Sequence, residues 1–353
     1  MYPRLIIDSK KIKENIHKLK EMCLSNRIPF LTIVVKAFAG NIEIIKEIAK
    51  EDFLYLGDSR IQNLKKMTRL PQKKMLLRIP HDKELAQVIK YSDCSLQSEI
   101  DTIVKLNSVA KSQDKLHQIL LMFDLGDLRE GIFFCEDYLK DIEPIVRLSN
   151  IELVGIGTNL TCYGGVLPSK ENLSKLVEIA DEIEHKFNIK LSLISGGNSS
   201  SIALFNQHLI PQRINHLRIG EGFLFGRETS YGKDIEGMQK DAFILETKII
   251  ECKSKPSYPI GEIGMNSFGE IPIIEDLGRM KRAIVGIGKQ DVILENLFPI
   301  DSNVKVIGGS SDHLILDITN TAYKLNDVVR FRVNYPGLVH LMNSDYVEKR
   351  VKK

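Results

Sequence analysis

The chain has 353 residues, with 49 lysines and arginines against 46 aspartates and glutamates, so its formal net charge is only +3 and it carries no electrostatic footprint for nucleic acid. At 43% hydrophobic and 27% charged residues, it has the composition of a globular protein able to bury a substantial core, which excludes disordered and fibrous classes. The length allows two domains, or one large barrel with a smaller module.

The opening segment, MYPRLIIDSKK, lacks the apolar stretch of a secretory signal. The longest apolar runs, such as LTIVV at 31–35, are far too short to span a membrane. Cys23, Cys94, Cys135, Cys162 and Cys252 are scattered, without a C-x-x-C pair or zinc-ligand spacing, which predicts a reducing cytoplasm and no structural metal. The sequon at Asn159, Leu160 and Thr161 therefore carries little weight.

From residue 31 to about 226, β-rich runs alternate with helix-period segments. Strands are expected at 31–35, 53–56, 74–78, 94–97, 118–123, 153–158, 191–194 and 216–219. Between them lie stretches such as IEIIKEIAK, SEIDTIVKLNSVAKS and NLSKLVEIADEIEHKF, whose apolar positions recur at three- and four-residue spacing. Eight such units predict a (β/α)8 TIM barrel. After about residue 240 come β-rich segments broken by Gly, Pro, Asn and Asp (FILETKIIEC, RAIVGIG, VKVIGG, HLILDIT, VVRFRV) with no convincing long helix, so a C-terminal all-β domain is expected. The expected division is 1–235 and 236–353, with the first strand segment free to pair with the C-terminal domain and GRETSYGKDIEGMQKD as the connection.

In such a barrel the active site forms at the C-terminal ends of the strands. Lys36 directly follows LTIVV, where a partly desolvated amine can lower its pKa and form a Schiff base with an aldehyde; the bland alternative is a lysine reaching solvent. After the seventh strand, SGGNSSSI at 195–202 offers a glycine turn, Asn198, Ser199 and Ser200, donors suited to an anion. The next strand ends in RIGEG, supplying Arg218 and the bare backbone of Gly220, and loops seven and eight are the usual phosphate cradle of this fold. A reactive lysine, a phosphate cradle and an arginine between them suggest pyridoxal 5′-phosphate, with Arg218 as a cationic partner for the ring nitrogen; otherwise Arg218 makes an ordinary salt bridge to Glu221 or Asp58.

These residues, with the stretches MYPRLIID, VVKAFAGN, GDSRIQNLKK, DLGDLREG, NLTCYGG, SGGNSSSI, PIGEIG and SSDHLILD, resemble the alanine racemase family of pyridoxal-phosphate enzymes over nearly the full length. The resemblance implies a barrel followed by a β-domain and a homodimer with shared active sites, acting on a small-molecule amino acid without nucleic acid or membrane. It implies that Lys36 is the Schiff-base lysine and proton-transfer base, and that Arg218 faces the ring nitrogen. Asn159, Asn198, Ser199, Ser200, Gly220 and Tyr335 then fall on the cofactor side, and Arg129, Ser311 and Asp312 on the substrate side. Three positions depart from the family: Ile287 stands where its opposite-face tyrosine belongs, Asn159 where it has a histidine, and Met122 where a lysine props the carboxylate-binding arginine.

A racemase needs a proton carrier on each face of the substrate Cα. With Ile287 inert, His313, Cys162 and Tyr163 are the candidates for the second face, although a lone histidine often caps or packs and a buried cysteine usually behaves as a small hydrophobe. The expected reaction is racemisation of ornithine or a related basic amino acid, whose second ammonium needs a carboxylate. Asp127, Glu130, Glu221, Glu262 and Asp312 are available. The competing readings are a decarboxylase of basic amino acids, a non-catalytic pyridoxal-phosphate carrier and a sugar-phosphate barrel.

Overall fold

The computed structural model describes residues 1–266 and 268–353, and they form two units, Lys10–Lys240 and Met1–Ser9 together with Asp241–Lys353. The first strand, β1 (Arg4–Asp8), belongs to the second of these. Helix α1 (Ser9–Ser25) follows, with Ile12, Ile16, Leu19 and Cys23 fully buried along one stripe. Then come β2 (Phe30–Val34), α2 (Ile42–Ile48), β3 (Tyr55–Asp58), α3 (Ile61–Lys66), β4 (Lys73–Leu76), α4 (Leu85–Tyr91), β5 (Cys94–Gln97) and α5 (Ile100–Ser112). The remainder of this unit is β6 (His117–Asp124), the short β7 (Ile132–Phe133), α6 (Tyr138–Val146), β8 (Ile151–Thr158), α7 (Lys170–Phe187), β9 (Leu193–Ser195), β10 (His216–Ile219) and α8 (Glu221–Phe225).

Strands β2, β3, β4, β5, β6, β8, β9 and β10 pair in parallel in that order, and β10 returns to β2, closing the expected eight-stranded barrel. Its filling includes Tyr55, Met75, Cys94, Leu96, Leu120, Met122, Val154 and Leu193, so the barrel is a packed core rather than a pore. One irregularity bears on the site. The β6–β8 register steps from Ile119 opposite Leu153 to Leu120 opposite Gly155, which leaves Val154 as an extra residue in β8. An added residue reverses the side-chain alternation beyond it. Gly157 thereby faces Leu120, Ser195 and Arg218, and Asn159 points the same way.

The second unit is a sheet of β1 with β11 (Phe243–Pro256), β12 (Arg279–Val285), β13 (Leu297–Pro299), β14 (Lys305–Gly309), β15 (Leu314–Asp317), β16 (Val328–Val333) and β17 (Glu348–Lys352). Strand β1 runs antiparallel to β11 and parallel to β17. Arg4, Glu246 and Arg330 sit in register across β1, β11 and β16, and the buried Glu246 accepts from Arg4 Nε at 2.6 Å and Arg330 Nε at 2.9 Å.

The unit also contains a nine-residue helix, α9 (Tyr335–Asn343), in a stretch where no convincing long helix was expected. Pro336 sits in the first helical turn, where its missing N–H costs nothing, and Asn334 caps the Gly337 N–H at 3.0 Å. The expected connection is no loose linker either. In it the buried Glu228 accepts the backbone N–H groups of Ser230, Tyr231 and Lys233, and the Ser230 hydroxyl donates to the Ser200 carbonyl at 3.0 Å.

No helix among the described residues is long and apolar enough to cross a membrane. The described residues also contain no group of three or more His, Cys, Asp or Glu side chains able to hold a metal ion.

Candidate active site

Lys36 emerges two residues beyond β2 in a single tight turn, Lys36–Phe38, with its own side chain exposed while Val35, Ala37 and Phe38 are buried. The turn ends in left-handed backbone at Ala39 (φ 50°) and Gly40 (φ 71°). A β-carbon at Gly40 would stand 2.6 Å from Asn63 Oδ1, so both conformation and space demand glycine there. Asn63 Nδ2 in turn donates to both oxygens of Asp58, at 3.1 and 3.2 Å, and the Arg60 N–H adds a third bond at 2.8 Å. Asp58, at the mouth end of β3, has no exposed surface; burial pushes its carboxyl up to about 6, although these N–H groups and the Lys36 ammonium oppose the rise.

Arg218, on the inner face of β10, is buried, and makes neither of the salt bridges allowed for above. Its Nη1 donates to Ser195 Oγ, and its Nη2 to the Thr158 carbonyl at 2.6 Å and to Asn159 Oδ1 at 2.8 Å. Its Nε–H makes no hydrogen bond among the described residues. Burial pulls the guanidinium down to about 10, with the Glu130 carboxylate opposing; it remains a cation at neutral pH. Asn159 passes the contact on, its Nδ2 donating to Glu130 Oε1 at 2.5 Å, and Glu130 grips Arg129 through Nη2 at 2.8 Å and Nε at 2.5 Å. Arginine can only donate and carboxylate only accept, so the orientation of the Asn159 amide follows from its two neighbours.

The turn after β9 is built around Gly197 (φ 112°) and Asn198, whose Oδ1 accepts the Ser200 N–H at 2.9 Å while Nδ2 donates to the Leu160 carbonyl at 3.0 Å and Cys162 Sγ at 3.2 Å. Ser199 Oγ accepts the N–H groups of Gly220 and Gly222, at 3.3 and 3.0 Å, which ties this turn to the end of β10. The hydroxyl proton of Ser199 has no acceptor among the described residues. Ser200 is fully buried and its hydroxyl lies 3.4 Å from the Leu160 carbonyl. Thus Asn198, Ser199, Ser200 and Gly220 converge as expected from their positions after strands seven and eight, and Asn159 and Arg129 join Arg218.

Asp127 is engaged by backbone. Both its oxygens are used on the backbone of the loop after β8, accepting from Cys162 at 3.0 Å, Tyr163 at 2.9 Å and Val166 at 3.0 Å. Burial would raise its carboxyl, but these N–H groups prevail and hold it below the usual range. Cys162 is an exposed residue, yet its thiol is pushed up, chiefly by burial of the sulfur, with Arg129 opposing. Met122 is fully buried in the barrel filling.

The remaining expected residues lie in the other unit. His313 Nδ1 is 3.1 Å from Asp312 Oδ1, and the Ser311 hydroxyl donates to the same oxygen at 3.1 Å. Ile287 is fully buried, in a loop held by bonds from the Lys289 and Gln290 N–H groups to the Ser310 and Ser311 carbonyls, both at 2.9 Å. Tyr335 is the half-buried first residue of α9. Sequence reasoning missed the polar residues inside the barrel that hold Arg218, above all Ser195 and His216. The one visible signal was the alternating glycines of GIGT at 155–158, which leave room for the guanidinium.

A closed barrel with these groups at one mouth has known counterparts. The model of the alanine racemase N-terminal domain matches residues 7–228. An ornithine racemase of Acetoanaerobium sticklandii is 48% identical over 353 residues, covering 99% of this chain and all of that one. A lysine racemase of Thermotoga maritima is 36% identical, covering 99% and 98% of the two chains. Among solved structures, the alanine racemase of Bartonella henselae with covalently bound pyridoxal phosphate superposes with a TM-score of 0.74 at 15% identity, covering 99% of both chains. By the matched domain and these full-length likenesses, the chain belongs to the alanine racemase family.

Proposed function

We propose that the protein is a pyridoxal-phosphate-dependent racemase of basic amino acids, with ornithine first and lysine next. The observation that carries this reading is Arg218: a buried cation whose Nη groups are all engaged by the barrel and whose Nε–H is left for an outside acceptor. The residues fit the cofactor. Ser199, with its uncommitted hydroxyl proton, Ser200 and the Gly220 backbone would hold the phosphate, Arg218 the ring nitrogen, and Lys36 the aldehyde carbon. Pyridoxal phosphate, when bound, supplies a carbonyl that condenses with amines and a ring that withdraws electrons from the substrate Cα. Arg218, as a permanent cation, keeps the facing nitrogen unprotonated, which suits simple proton exchange better than deeper electron withdrawal.

The Lys36 amine takes and returns the Cα proton on one face. Arg129, fixed by Glu130, holds the substrate carboxylate. For the opposite face His313 is preferred over Cys162, because Asp312 Oδ1, 3.1 Å from Nδ1, can orient the ring, whereas burial pushes the Cys162 thiol up and disfavours its thiolate. Names of relatives support the substrate class: the 48% identical protein is an ornithine racemase and the 36% identical one a lysine racemase. The same reading makes the enzyme a cytoplasmic homodimer, with a partner copy supplying Ser311, Asp312 and His313. Exposed apolar side chains in the 258–277 excursion, among them Ile260, Met265 and Ile271, and five free cysteines support it.

The test is to incubate the cofactor-loaded protein with L-ornithine in D2O, following optical rotation, Cα deuterium and putrescine. Loss of rotation with deuterium at Cα and no putrescine is expected. Putrescine would mark a decarboxylase, and no change with any basic amino acid would mark a silent carrier.

A further inference from the structure

Beneath Arg218 on the same inner face of β10 lies His216, with no exposed surface. Its Nδ1 is 2.8 Å from Ser195 Oγ and its Nε2 is 2.9 Å from Thr32 Oγ1. Thr32 Oγ1 is in turn 3.7 Å from Met75 Sδ, an acceptor only. The row therefore crosses the barrel interior from Arg218 through Ser195, His216 and Thr32 to Met75, on strands β10, β9, β10, β2 and β4.

Every proton in this row is determined from its ends. Arg218 can only donate, so Ser195 Oγ accepts from Nη1. The only other partner of the Ser195 hydroxyl among the described residues is His216 Nδ1. If Nδ1 carried a proton, Ser195 would accept twice and its own buried proton would be orphaned, at a cost of about 1–3 kcal/mol. With Nδ1 bare, Ser195 donates to it, Nε2–H donates to Thr32, and Thr32 donates to Met75; nothing is left over. A protonated His216 would break this order and set a second cation one hydroxyl away from Arg218. Burial first, and Arg218 second, push the imidazole down to about 3.

We propose that His216 is a positioning residue: held neutral as its Nε2–H tautomer, it orients the Ser195 hydroxyl, whose oxygen accepts a hydrogen bond from Arg218 Nη1–H and so turns the guanidinium to present Nε–H at the barrel mouth. The inference rests on the reading of Arg218 as the ring-nitrogen partner. The lysine-bearing strand is part of the device, since Thr32 lies on β2 four residues before Lys36.

The first test needs no cofactor. Nitrogen NMR of apoprotein labelled at histidine, from pH 5.5 to 9, should show His216, assigned by its loss in His216→Gln, with a proton on Nε2, a bare Nδ1 and no titration. A proton on Nδ1, or titration in that range, overturns the inference. The second test measures pyridoxal phosphate uptake by apoprotein. Ser195→Ala and His216→Phe should weaken it about 10-fold, the loss of one hydrogen bond to a charged group of roughly 1.4 kcal/mol. His216→Gln, whose amide can offer a carbonyl to Ser195 and an N–H to Thr32, should keep uptake within about 3-fold, because a rescued bond restores most of that energy. Equal uptake by folded His216→Phe, Ser195→Ala and wild type would overturn the positioning role. Should His216→Phe not fold, the Ser195→Ala and His216→Gln pair decides. A wild type that takes up no pyridoxal phosphate sinks the functional reading instead, while the tautomer measurement judges His216 by itself.

Discussion

Gly157 and Arg218 compete for one volume: a β-carbon at 157 would stand 3.1 Å from Arg218 Nη1, and 3.0 Å from the side chains of Leu120 and Ser195. Gly157→Ala should therefore push the guanidinium off its seat. Overpacking of this kind costs about 1–3 kcal/mol, and a misplacement near 1 Å at a reacting site costs up to about 100-fold in rate. The expected result is a kcat for ornithine racemisation down by at least about 10-fold, beyond what the modest loss of Tm explains. A variant with wild-type kcat would show that the guanidinium is not held where the structure places it.

Lys36→Ala should abolish both covalent cofactor retention and racemisation. Borohydride reduction of the loaded protein followed by intact mass measurement reads the first independently of the second. Full racemisation by this variant would remove Lys36 from the mechanism.

Asp58 gives a pH dependence whose sign is fixed by its raised value of about 6. The unfolded carboxyl, near 3.9, releases its proton first, so between these values the folded state binds more protons and stability falls as pH rises. The contribution is fully present below about pH 4 and lost through pH 6. Asp58→Asn should flatten that slope and leave the variant more stable at pH 7.5 by roughly 1–3 kcal/mol, as urea unfolding at several pH values would read. Parallel pH profiles for variant and wild type would contradict the assignment.

Asp127→Ala should release the loop after β8, because three backbone N–H groups lose their acceptor. A loss of about 2–3 kcal/mol is expected, with faster proteolysis near 161–166. Since the carboxyl is held low, its contribution is present at neutral pH and is lost only in acid, as pH falls through the folded value.

The barrel was legible because its strands are buried on both faces and read as short apolar runs set between amphipathic helices. Lys36, Ser199 and Arg218 were legible because each follows or ends such a run at the mouth. For Asn159 only the resemblance pointed to the site; the alternation of β8 would aim it outward, since the extra residue at Val154 reverses a pattern that sequence reading assumes to be strict. Nor was the row beneath Arg218 legible: Thr32, Ser195 and His216 lie far apart in the chain, and only the closure of β10 on β2 brings Thr32 within hydrogen-bond reach of His216. The actual partners of Asp127 were not legible for a related reason, as they are backbone groups more than thirty residues away and leave no mark in the sequence.

Strand β1 pairs with β11 and with β17, Arg4 opposite Glu246 on one side and Glu348 on the other. During synthesis this apolar strand emerges before both of its partners, the earlier of them more than two hundred residues behind it on the ribosome. Contacts this distant in sequence slow folding, because the loop-closure entropy is lost before the pairing returns anything. In the barrel most strands pair with sequence neighbours, and only the closure of β10 on β2 waits comparably long. Assembly of the nascent chain should therefore be ordered in time, the barrel first, with RLIID waiting unpaired as the segment most exposed to mispairing or capture by a chaperone.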